Sequence, residues 1–388
     1  MQGKYFIRTL KNLFHINKDR YVYKDKKNRK WAYISYIPRV YYKKKNSSWF
    51  DKHQNRREAL VIGEVFKRLG YNYVMATYDR PIECDHEAYD VIFGEGPCFS
   101  IMAKRNPSAL KIYYATTAYP EYQNRMVKER TDAFNQKHHT QLLYSRMSPS
   151  VLYDLPIDAI LQIGSSVTIQ TYPMEWRDKI SLINQSSNIL HHVNIKEKMS
   201  LYDRTHFVWM GSSGSILKGL DLVLDFFLYH PELHLHVIGK MDPDFEAYYS
   251  PLLVDKANIT LWGFQNVNSE EFSRILQKIT FCIYPSASEG GCPGAIITLM
   301  KMGVIPLVSQ VASFDGIGTC GFVMHSLTDK ALAEAVEWSQ SLSDDMIKQR
   351  MRQCIDTATQ KWNLFSFEQE FENYMSRQVA KTVDSRIV

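Results

Sequence analysis

Short apolar runs alternate with segments of helical period along most of the chain. The first run, residues 31–37, is followed by a helical pattern over residues 51–69, in which Ala59, Ile62 and Phe66 share one face. Gly70 ends this predicted helix. Further buried strands are predicted at residues 71–78, 89–94, 110–117 and 159–164. Continuous Val-, Ile- and Tyr-rich strands of this kind are typical of a parallel sheet that helices cover on both faces.

The second half of the chain repeats this alternation. Strands are predicted at residues 206–211, 233–239, 258–263, 279–285 and 304–309, and helices at residues 217–229, 268–278 and 295–301. Asn268 is the predicted cap of the second of these helices, and two acidic residues follow it in the first turn. The polar stretch 172–204 has few apolar runs, so we place a linker there. The pattern therefore predicts an α/β protein with two βαβ blocks.

Composition agrees with a soluble protein of this kind. The chain has 388 residues, of which 45% are hydrophobic and 23% are charged, and this length favours two domains. No apolar stretch approaches the roughly 20 residues of a membrane helix. We expect no secretory signal, because the basic N-terminus lacks an unbroken apolar core.

Metal-binding patterns are weak. The six cysteines form no CxxC pair, which argues against a zinc site or a disulfide framework and suits a reducing cytoplasm. His230, His234 and His236 have the spacing of metal ligands, but the last two alternate with apolar residues on a predicted strand. Packed or surface histidines are the favoured interpretation.

The loops that follow strands are the expected ligand sites of an open α/β sheet. One loop contains Gly211, Ser212, Ser213 and Gly214, and Lys218 lies near the start of the next helix. Small residues let backbone N–H groups approach an anion, and a lysine suits a phosphate. The spacing fits neither a Walker A loop nor GxGxxG. An ordinary Gly/Ser turn with a solvated lysine is the alternative.

Two further loops are candidates. Glu289, Gly290 and Gly291 lie between a strand and a helix, where the carboxylate could accept hydrogen bonds from sugar hydroxyls and the helix end could take a phosphate. Alternatively, Glu289 only complements the helix dipole. The turn at Gly263 and Phe264 could hold a flat heterocycle, or it is an ordinary turn at the end of a strand.

Together these loops resemble, in order and spacing, the donor-binding half of glycosyltransferase family 4, a GT-B family. The resemblance covers about residues 205–310. The matching segments are Gly211…Lys218-Gly219-Leu220-Asp221, Val237-Ile238-Gly239, Gly263-Phe264-Gln265, Pro285-Ser286-Ala287-Ser288-Glu289-Gly290 and Met300…Gly303…Pro306.

The family's fold is GT-B, with two Rossmann-like domains facing a central cleft and a C-terminal helix that crosses back to the first domain. The resemblance implies an acceptor-binding domain over residues 1–185 and a nucleotide-sugar-binding domain over residues 186–360. Residues 361–388 would form the returning helix.

The resemblance also implies an activity. The protein would be a retaining glycosyltransferase of the hexosyltransferase type, which moves a sugar from a UDP- or GDP-sugar to a glycan or lipid-linked glycan in cell-surface polysaccharide biosynthesis. Lys218 would contact the diphosphate and Glu289 would hold the donor sugar, and these two residues are the catalytic candidates. No cofactor and no tightly bound metal are expected, because Lys218, backbone N–H groups and a helix dipole can stabilise the leaving diphosphate.

Two positions depart from the family pattern. Ser212 stands where the family usually has an arginine, and Ile297 or Thr298 stands where a second glutamate usually binds the ribose. Losing such a charged hydrogen bond costs about 1.5–3 kcal/mol, part of which the Thr298 hydroxyl could recover. The departures leave two alternatives open: a sugar-nucleotide epimerase of similar fold, or a non-catalytic glycan-binding or scaffold protein.

Acceptor-side candidates are few. His53 begins the first long helix, and Glu95 and Thr117 follow strands in the half of the chain that would bind the acceptor. Each could orient an acceptor hydroxyl, or each is an ordinary solvated side chain.

Positive charge is concentrated at the front of the chain. Residues 1–60 hold 17 Lys and Arg against four acidic residues, a local net charge of +13, whereas the remaining residues hold 30 basic and 37 acidic ones, a net charge of −7. Basic and aromatic residues interleave over residues 1–45, which favours contact with an anionic membrane surface by a cytoplasmic protein peripheral to the inner face of the cell membrane. An acidic polysaccharide and a solvated basic arm are alternatives. Nucleic acid is not expected, since no recognised reader motif is present.

Overall fold

The computed structural model describes residues 18–79, 88–149, 157–190 and 194–384. The described residues group into two compact units. The first takes its residues from 1–114, 151–160 and 368–388, and the second from 115–150 and 161–367. These bounds differ from the domain boundaries of the sequence analysis, which stay a prediction. The first 17 residues of the predicted membrane-contacting segment lie outside the described part of the chain.

The first sheet is built mainly from the predicted parallel strands. Its strands are β1 (Arg20–Tyr23), β2 (Lys30–Tyr36), β3 (Tyr71–Thr77), β4 (Val91–Gly94), β5 (Leu110–Ala115), β6 (Ala159–Ile163) and β7 (Ile180–Ile183), in the order β1-β3-β2-β4-β5-β6-β7. Strand β2 pairs in parallel with β3 and with β4, and β4 pairs in parallel with β5. The edge strand β1 is antiparallel to β3.

The sequence pattern missed β1 and β7. Both have four residues and are only partly buried, so neither produces a continuous apolar run. Strand β7 lies inside the stretch 172–204 that was predicted to be a linker, and this stretch also contains two helices, Met174–Arg177 and Ile195–Leu201. The stretch in which the linker was placed therefore contains regular structure.

Helices occupy the connections of the first sheet. They are α1 (Asn55–Arg68), α2 (Gly96–Arg105), α3 (Pro120–His138), α4 (Ser166–Gln170) and α5 (Met174–Arg177), with 3₁₀ turns at Pro38–Tyr42 and Ser48–Lys52. Helix α1 buries Ala59, Ile62 and Phe66, as its period predicts. It begins later than predicted, because the second 3₁₀ turn occupies the start of the predicted helix.

The second sheet lies entirely in the second unit. Its strands are β8 (Asp203–Met210), β9 (His234–Ile238), β10 (Ile259–Gly263), β11 (Ile279–Tyr284), β12 (Ile305–Ser309) and β13 (Phe322–Met324), in the order β10-β9-β8-β11-β12-β13. Every described pair in this sheet is parallel. From β8 the chain proceeds to β9 on one side, and it later reaches β11 on the other side. The order of the strands therefore reverses between β8 and β11, which is where open α/β sheets bind their ligands.

The later helices surround this sheet and continue beyond it. They are α6 (Ile195–Leu201), α7 (Leu220–Leu228), α8 (Pro243–Leu253), α9 (Glu270–Leu276), α10 (Gly294–Lys301), α11 (Asp329–Ser341), α12 (Asp344–Lys361) and α13 (Leu364–Asp384), with 3₁₀ turns at Gln310–Ala312 and Ile317–Thr319. Ser269 caps α9 by accepting a hydrogen bond from the Phe272 N–H group. The predicted Asn268 cap is wrong by one residue.

Helix α13 contributes to the first unit from residue 368 onward. Phe371 packs against the rings of Phe66 and Phe93. Arg68 forms ion pairs with Glu368 and Glu372. The C-terminal helix thus joins the N-terminal residues in one unit, as the resemblance implied. None of the described helices combines the length and the apolar character that crossing a bilayer requires.

His206, His234 and His236 pack together on the second sheet, where the ring of His206 stacks on the other two. The indole N–H of Trp262 donates to Nδ1 of His236 at 3.0 Å, and Nε2 of His236 bonds to Nδ1 of His206 at 2.9 Å. A ring that accepts at Nδ1 and donates at Nε2 is neutral. Burial, together with the neighbouring histidines, lowers the pKa of His236 to about 4. His234 and His236 are two residues apart because both lie on one face of β9, where they stack on His206 of β8.

This cluster should make folding sensitive to acid. The pKa of His236 is about 4 in the folded chain against an ordinary value of 6.5, so the unfolded chain binds a proton first as the pH falls. Stability is therefore complete above about pH 6.5 and declines as the pH falls towards 4. In His236→Gln, thermal unfolding should show a shallower fall in Tm over this window. The exposed His325 provides the control, and a decline as steep in His236→Gln as in His325→Gln would contradict the assignment.

Candidate functional site

The loops that follow β8 and β11 meet at the carboxyl edge of the second sheet. The Leu217 carbonyl accepts a hydrogen bond from the Ala287 N–H group at 2.8 Å. Gly219 has a φ of +71°, and a Cβ atom on it would collide with the carbonyl oxygen of Pro285. Only glycine tolerates both the left-handed backbone and this close approach. The structure therefore brings the predicted lysine loop and the predicted glutamate loop together.

Lys218 lies at this junction and is only 7% exposed. Its Nζ donates to the Ser212 hydroxyl at 3.2 Å, and its carbonyl accepts from the Trp209 indole at 3.2 Å. Burial lowers the pKa of the ammonium to about 8, and the carboxylates of Glu289 and Asp242 oppose this shift. Since burying a cation is costly unless it is compensated, this site favours an anion beside Lys218.

Glu289 is oriented by two hydroxyl groups. Its Oε1 accepts from the Tyr284 hydroxyl at 2.8 Å and from the Ser286 hydroxyl at 3.2 Å. Burial raises the pKa of Tyr284 well above its ordinary value, and the nearby Glu289 charge raises it further, so the phenol stays a donor. The half-buried carboxylate is thus held in one orientation while its charge acts on Lys218.

Gly290 and Gly291 lie where the Glu289 loop approaches the backbone of other segments closely. A Cβ atom on Gly290 would lie 2.8 Å from the carbonyl oxygen of Thr116 and 3.0 Å from Cα of Thr117. A Cβ atom on Gly291, whose φ is +81°, would lie 2.7 Å from Cα of Gly164. The paired glycines let the Glu289 loop pack on the chain that follows β5 and β6, and this contact places Thr117 beside the loop.

Helix α10 begins directly after this loop. Pro293 is its cap position and makes no side-chain hydrogen bond to the first turn. The first amide groups of a helix have no partner within the helix, so they can bind an anion. Thr298 is 5% exposed and donates its hydroxyl proton to the Gly294 carbonyl at 2.8 Å, and Ile297 is fully buried. Ribose binding by Thr298 remains a prediction, with the hydroxyl oxygen as the acceptor.

Part of the Gly/Ser loop is engaged within the chain. The N–H groups of Gly214 and Ser215 both donate to the Asp242 carboxylate, at 2.9–3.1 Å. The Gly211 N–H group donates to the Ile238 carbonyl at 3.0 Å. The amides of Gly211 and Gly214 are therefore used by the fold, while Ser212 and Ser213 are exposed. Asp242 was not among the residues predicted from the sequence, although it follows β9 at the same sheet edge.

Gly263 and Phe264 lie further along this edge. The Gly263 carbonyl accepts from the Gly239 N–H group at 2.7 Å, and the Phe264 ring is 69% exposed. Strand β10 is two strands from β8, which corresponds to about 10 Å. This is a distance that an extended nucleotide spans.

The acceptor-side candidates are divided between the two units. Thr117 belongs to the second unit, beside Gly290. His53 and Glu95 belong to the first unit. His53 is exposed and its Nδ1 accepts from the Asn55 N–H group at 3.4 Å, whereas the Glu95 carbonyl accepts from the Ser35 hydroxyl at 2.7 Å.

Comparisons with known proteins agree with this geometry. Residues 204–340 match the family model of group 1 glycosyl transferases. No curated protein sequence matches the chain. The chain has the fold of sucrose-phosphate synthase from Thermosynechococcus elongatus, with a TM-score of 0.61 and 11% identity over 91% of this chain and 100% of that one.

Two further solved structures share this fold. WaaG, a glycosyltransferase involved in lipopolysaccharide biosynthesis, aligns with a TM-score of 0.52 and 12% identity over 89% of this chain and 99% of WaaG. Alr3699/HepE from Anabaena, solved in complex with UDP-glucose, aligns with a TM-score of 0.52 and 12% identity over 74% of this chain and 79% of its own. The predicted GT-B fold class is confirmed, and the matched segment together with the fold supports a glycosyltransferase.

The contact between the Lys218 loop and the Glu289 loop should require that residue 219 has no side chain. Gly219→Ala should lower Tm strongly, because the methyl group meets the Pro285 carbonyl in addition to the roughly 1–2 kcal/mol that a left-handed alanine costs. Gly316→Ala is the matched control, since Gly316 has a φ of +94° and nothing within 4 Å of a Cβ atom. Equal losses of Tm in thermal unfolding of the two variants would show that the contact with Pro285 does not constrain the fold.

Proposed function

We propose that this protein is a retaining glycosyltransferase that moves a hexose from a UDP- or GDP-sugar to a glycan or lipid-linked glycan. The observation that carries the proposal is the buried ammonium of Lys218 beside the oriented carboxylate of Glu289, at the point where the strand order reverses. A buried cation next to a fixed hydrogen-bond acceptor suits a ligand that joins a diphosphate to a polyhydroxylated ring.

Each group has a distinct role in this proposal. Lys218 and the open amides of α10 stabilise the negative charge that develops on the leaving nucleoside diphosphate. Glu289 accepts hydrogen bonds from donor hydroxyls and so fixes the sugar while the glycosidic bond to phosphate breaks. Since the sugar passes through an oxocarbenium-like state, stabilising the departing phosphate lowers the barrier most directly. No cofactor and no tightly bound metal are part of this proposal.

The fold relatives support the donor and the pathway. Alr3699/HepE was solved with UDP-glucose, and WaaG takes part in lipopolysaccharide biosynthesis. By analogy, we place this protein in the synthesis of a cell-surface polysaccharide. Thr117, His53 and Glu95 are the acceptor-side residues of this proposal.

The donor test is binding of a panel of UDP- and GDP-sugars, followed by product analysis with glycan acceptors. Saturable binding is expected for one donor, and Lys218→Ala should weaken it about tenfold or more, because a charge-assisted hydrogen bond to phosphate is lost. Affinity should also fall as the pH rises above about 8, where the Lys218 ammonium of the free protein loses its proton.

The control is Lys330→Ala, since Lys330 is a highly exposed lysine paired with Glu334. No binding to any donor, or equal affinity in the two lysine variants, would remove the assignment. A product formed from the donor alone, with no acceptor consumed, would identify an epimerase instead. Retention is tested by the anomeric configuration of the product.

We further propose that the protein contacts the anionic inner face of the cell membrane from the cytoplasm, through residues 1–45. In the described part of this segment, Lys43, Lys44 and Lys45 are exposed, and Lys43 lies over the ring of Trp49. An aromatic ring among exposed lysines is suited to the region of the lipid headgroups.

Changing these three lysines to glutamine should weaken binding to anionic vesicles by about 100-fold, since each lysine near such a surface contributes about 1 kcal/mol. Co-sedimentation with vesicles that contain phosphatidylserine measures this, and vesicles of phosphatidylcholine alone are the control. Deletion of residues 1–17 should release the protein further. Unchanged co-sedimentation of both variants would contradict a membrane role for this segment.

A further inference from the structure

The loop that follows α3 places an arginine against the lysine loop. A Cβ atom on Gly214 would collide with Cδ of Arg146 and would lie 3.0 Å from its Cγ. The aliphatic part of Arg146 therefore occupies the space that Gly214 leaves by having no side chain. Both residues belong to the second unit.

The chain around Arg146 is fastened to α3 on both sides of the arginine. The Arg146 carbonyl accepts from the Gln123 side chain at 2.8 Å. The Asn124 side chain bonds to both the N–H and the carbonyl of Ser148, at 2.7 and 2.8 Å. Arg146 itself has a φ of +66°, a conformation that a non-glycine residue keeps only where its surroundings impose it. Its position next to Gly214 is thus determined by the fold.

The charge of Arg146 acts on the site. The like charge of Arg146 is one of the causes that lower the pKa of Lys218, and it also opposes the rise in the pKa of Tyr284. Its side chain is exposed, and within the described ranges of the chain no ion pair or hydrogen bond engages the guanidinium. The neighbouring carboxylates are occupied, Asp242 by backbone amides and Glu289 by two hydroxyl groups.

The cations of Arg146 and Lys218 therefore both lie near the loop that contains Gly214. Among the described residues, neither cation forms an ion pair with a carboxylate. Like charges held this close repel each other, and a doubly charged anion between them removes the repulsion. A guanidinium suits this role because its planar fork can donate two hydrogen bonds to one phosphate group, while the ammonium binds another as a point charge.

We propose that Arg146 is a second cationic ligand of the donor diphosphate, so that the loop after α3 is part of the donor site. The inference rests on the proposed function, since it specifies how the same site holds its nucleoside diphosphate. Arg146 supplies a positive charge from outside the Lys218 loop, on the side of Gly214.

The test is calorimetric binding of UDP, GDP, uridine and guanosine to the full-length protein and its Arg146→Ala variant. Arg146→Ala should lose about tenfold or more in affinity for the diphosphate that the wild type binds, with little change for the matching nucleoside. Arg146→Lys should be intermediate, because it keeps the charge and loses the fork. The matched control is Arg125→Ala, an exposed arginine on α3 that pairs with Glu129.

The outcomes separate the two proposals. If the wild type binds diphosphate and Lys218→Ala binds it weakly, but Arg146→Ala behaves like Arg125→Ala, the role of Arg146 is overturned and the proposed function stands. If the wild type binds neither diphosphate, the proposed function fails and the inference fails with it. An equal loss for diphosphate and nucleoside in Arg146→Ala would indicate a structural role, and would overturn the inference. Tm values of all variants verify that they are folded.

Discussion

The close contact between the Lys218-Gly219 segment and the Pro285 loop is the constraint on which the site depends. It joins the ends of β8 and β11, the two strands between which the strand order reverses. A side chain at residue 219 would separate the two loops and would move the Lys218 ammonium away from Glu289. The site thus follows from a contact between backbones, and the charged side chains are set in place by it.

The charges at this junction determine that it favours an anionic ligand. The Lys218 ammonium is buried among polar groups that compensate it incompletely, which is why its pKa falls to about 8. Glu289 is restrained by hydroxyl groups and Asp242 by amides, so neither carboxylate can turn to neutralise the lysine fully. Such a site favours binding of an anion. Folding has already removed water from the cation, so the free-energy cost of this desolvation does not arise again when the anion binds.

Helix α3 connects this chemistry to the rest of the second unit. Arg130 on α3 forms an ion pair with the buried Asp221 of α7 at 2.6 Å, and Lys137 pairs with Asp225 of the same helix at 2.8 Å. These pairs fix α3 beside the helix that follows Lys218. The loop that carries Arg146 is in turn tied to α3, so its position relative to the lysine is set by packing between helices. Asp221, which the sequence showed only as part of a motif, therefore has a structural role.

The sequence by itself determined the long buried strands, the α/β class and the position of Lys218 and Glu289 on loops that follow strands. A continuous apolar run such as residues 279–285 predicts a buried strand. A charged residue directly after such a strand lies at the carboxyl edge of the sheet. The short strands β1, β7 and β13 were not predicted from the sequence, because few of their residues are buried. Only the tertiary structure decided that Arg146 and Asp242 lie against the loop that carries Lys218. Their proximity to Lys218 arises from packing between segments far apart in the chain, and no local pattern of hydrophobic and polar positions records such packing.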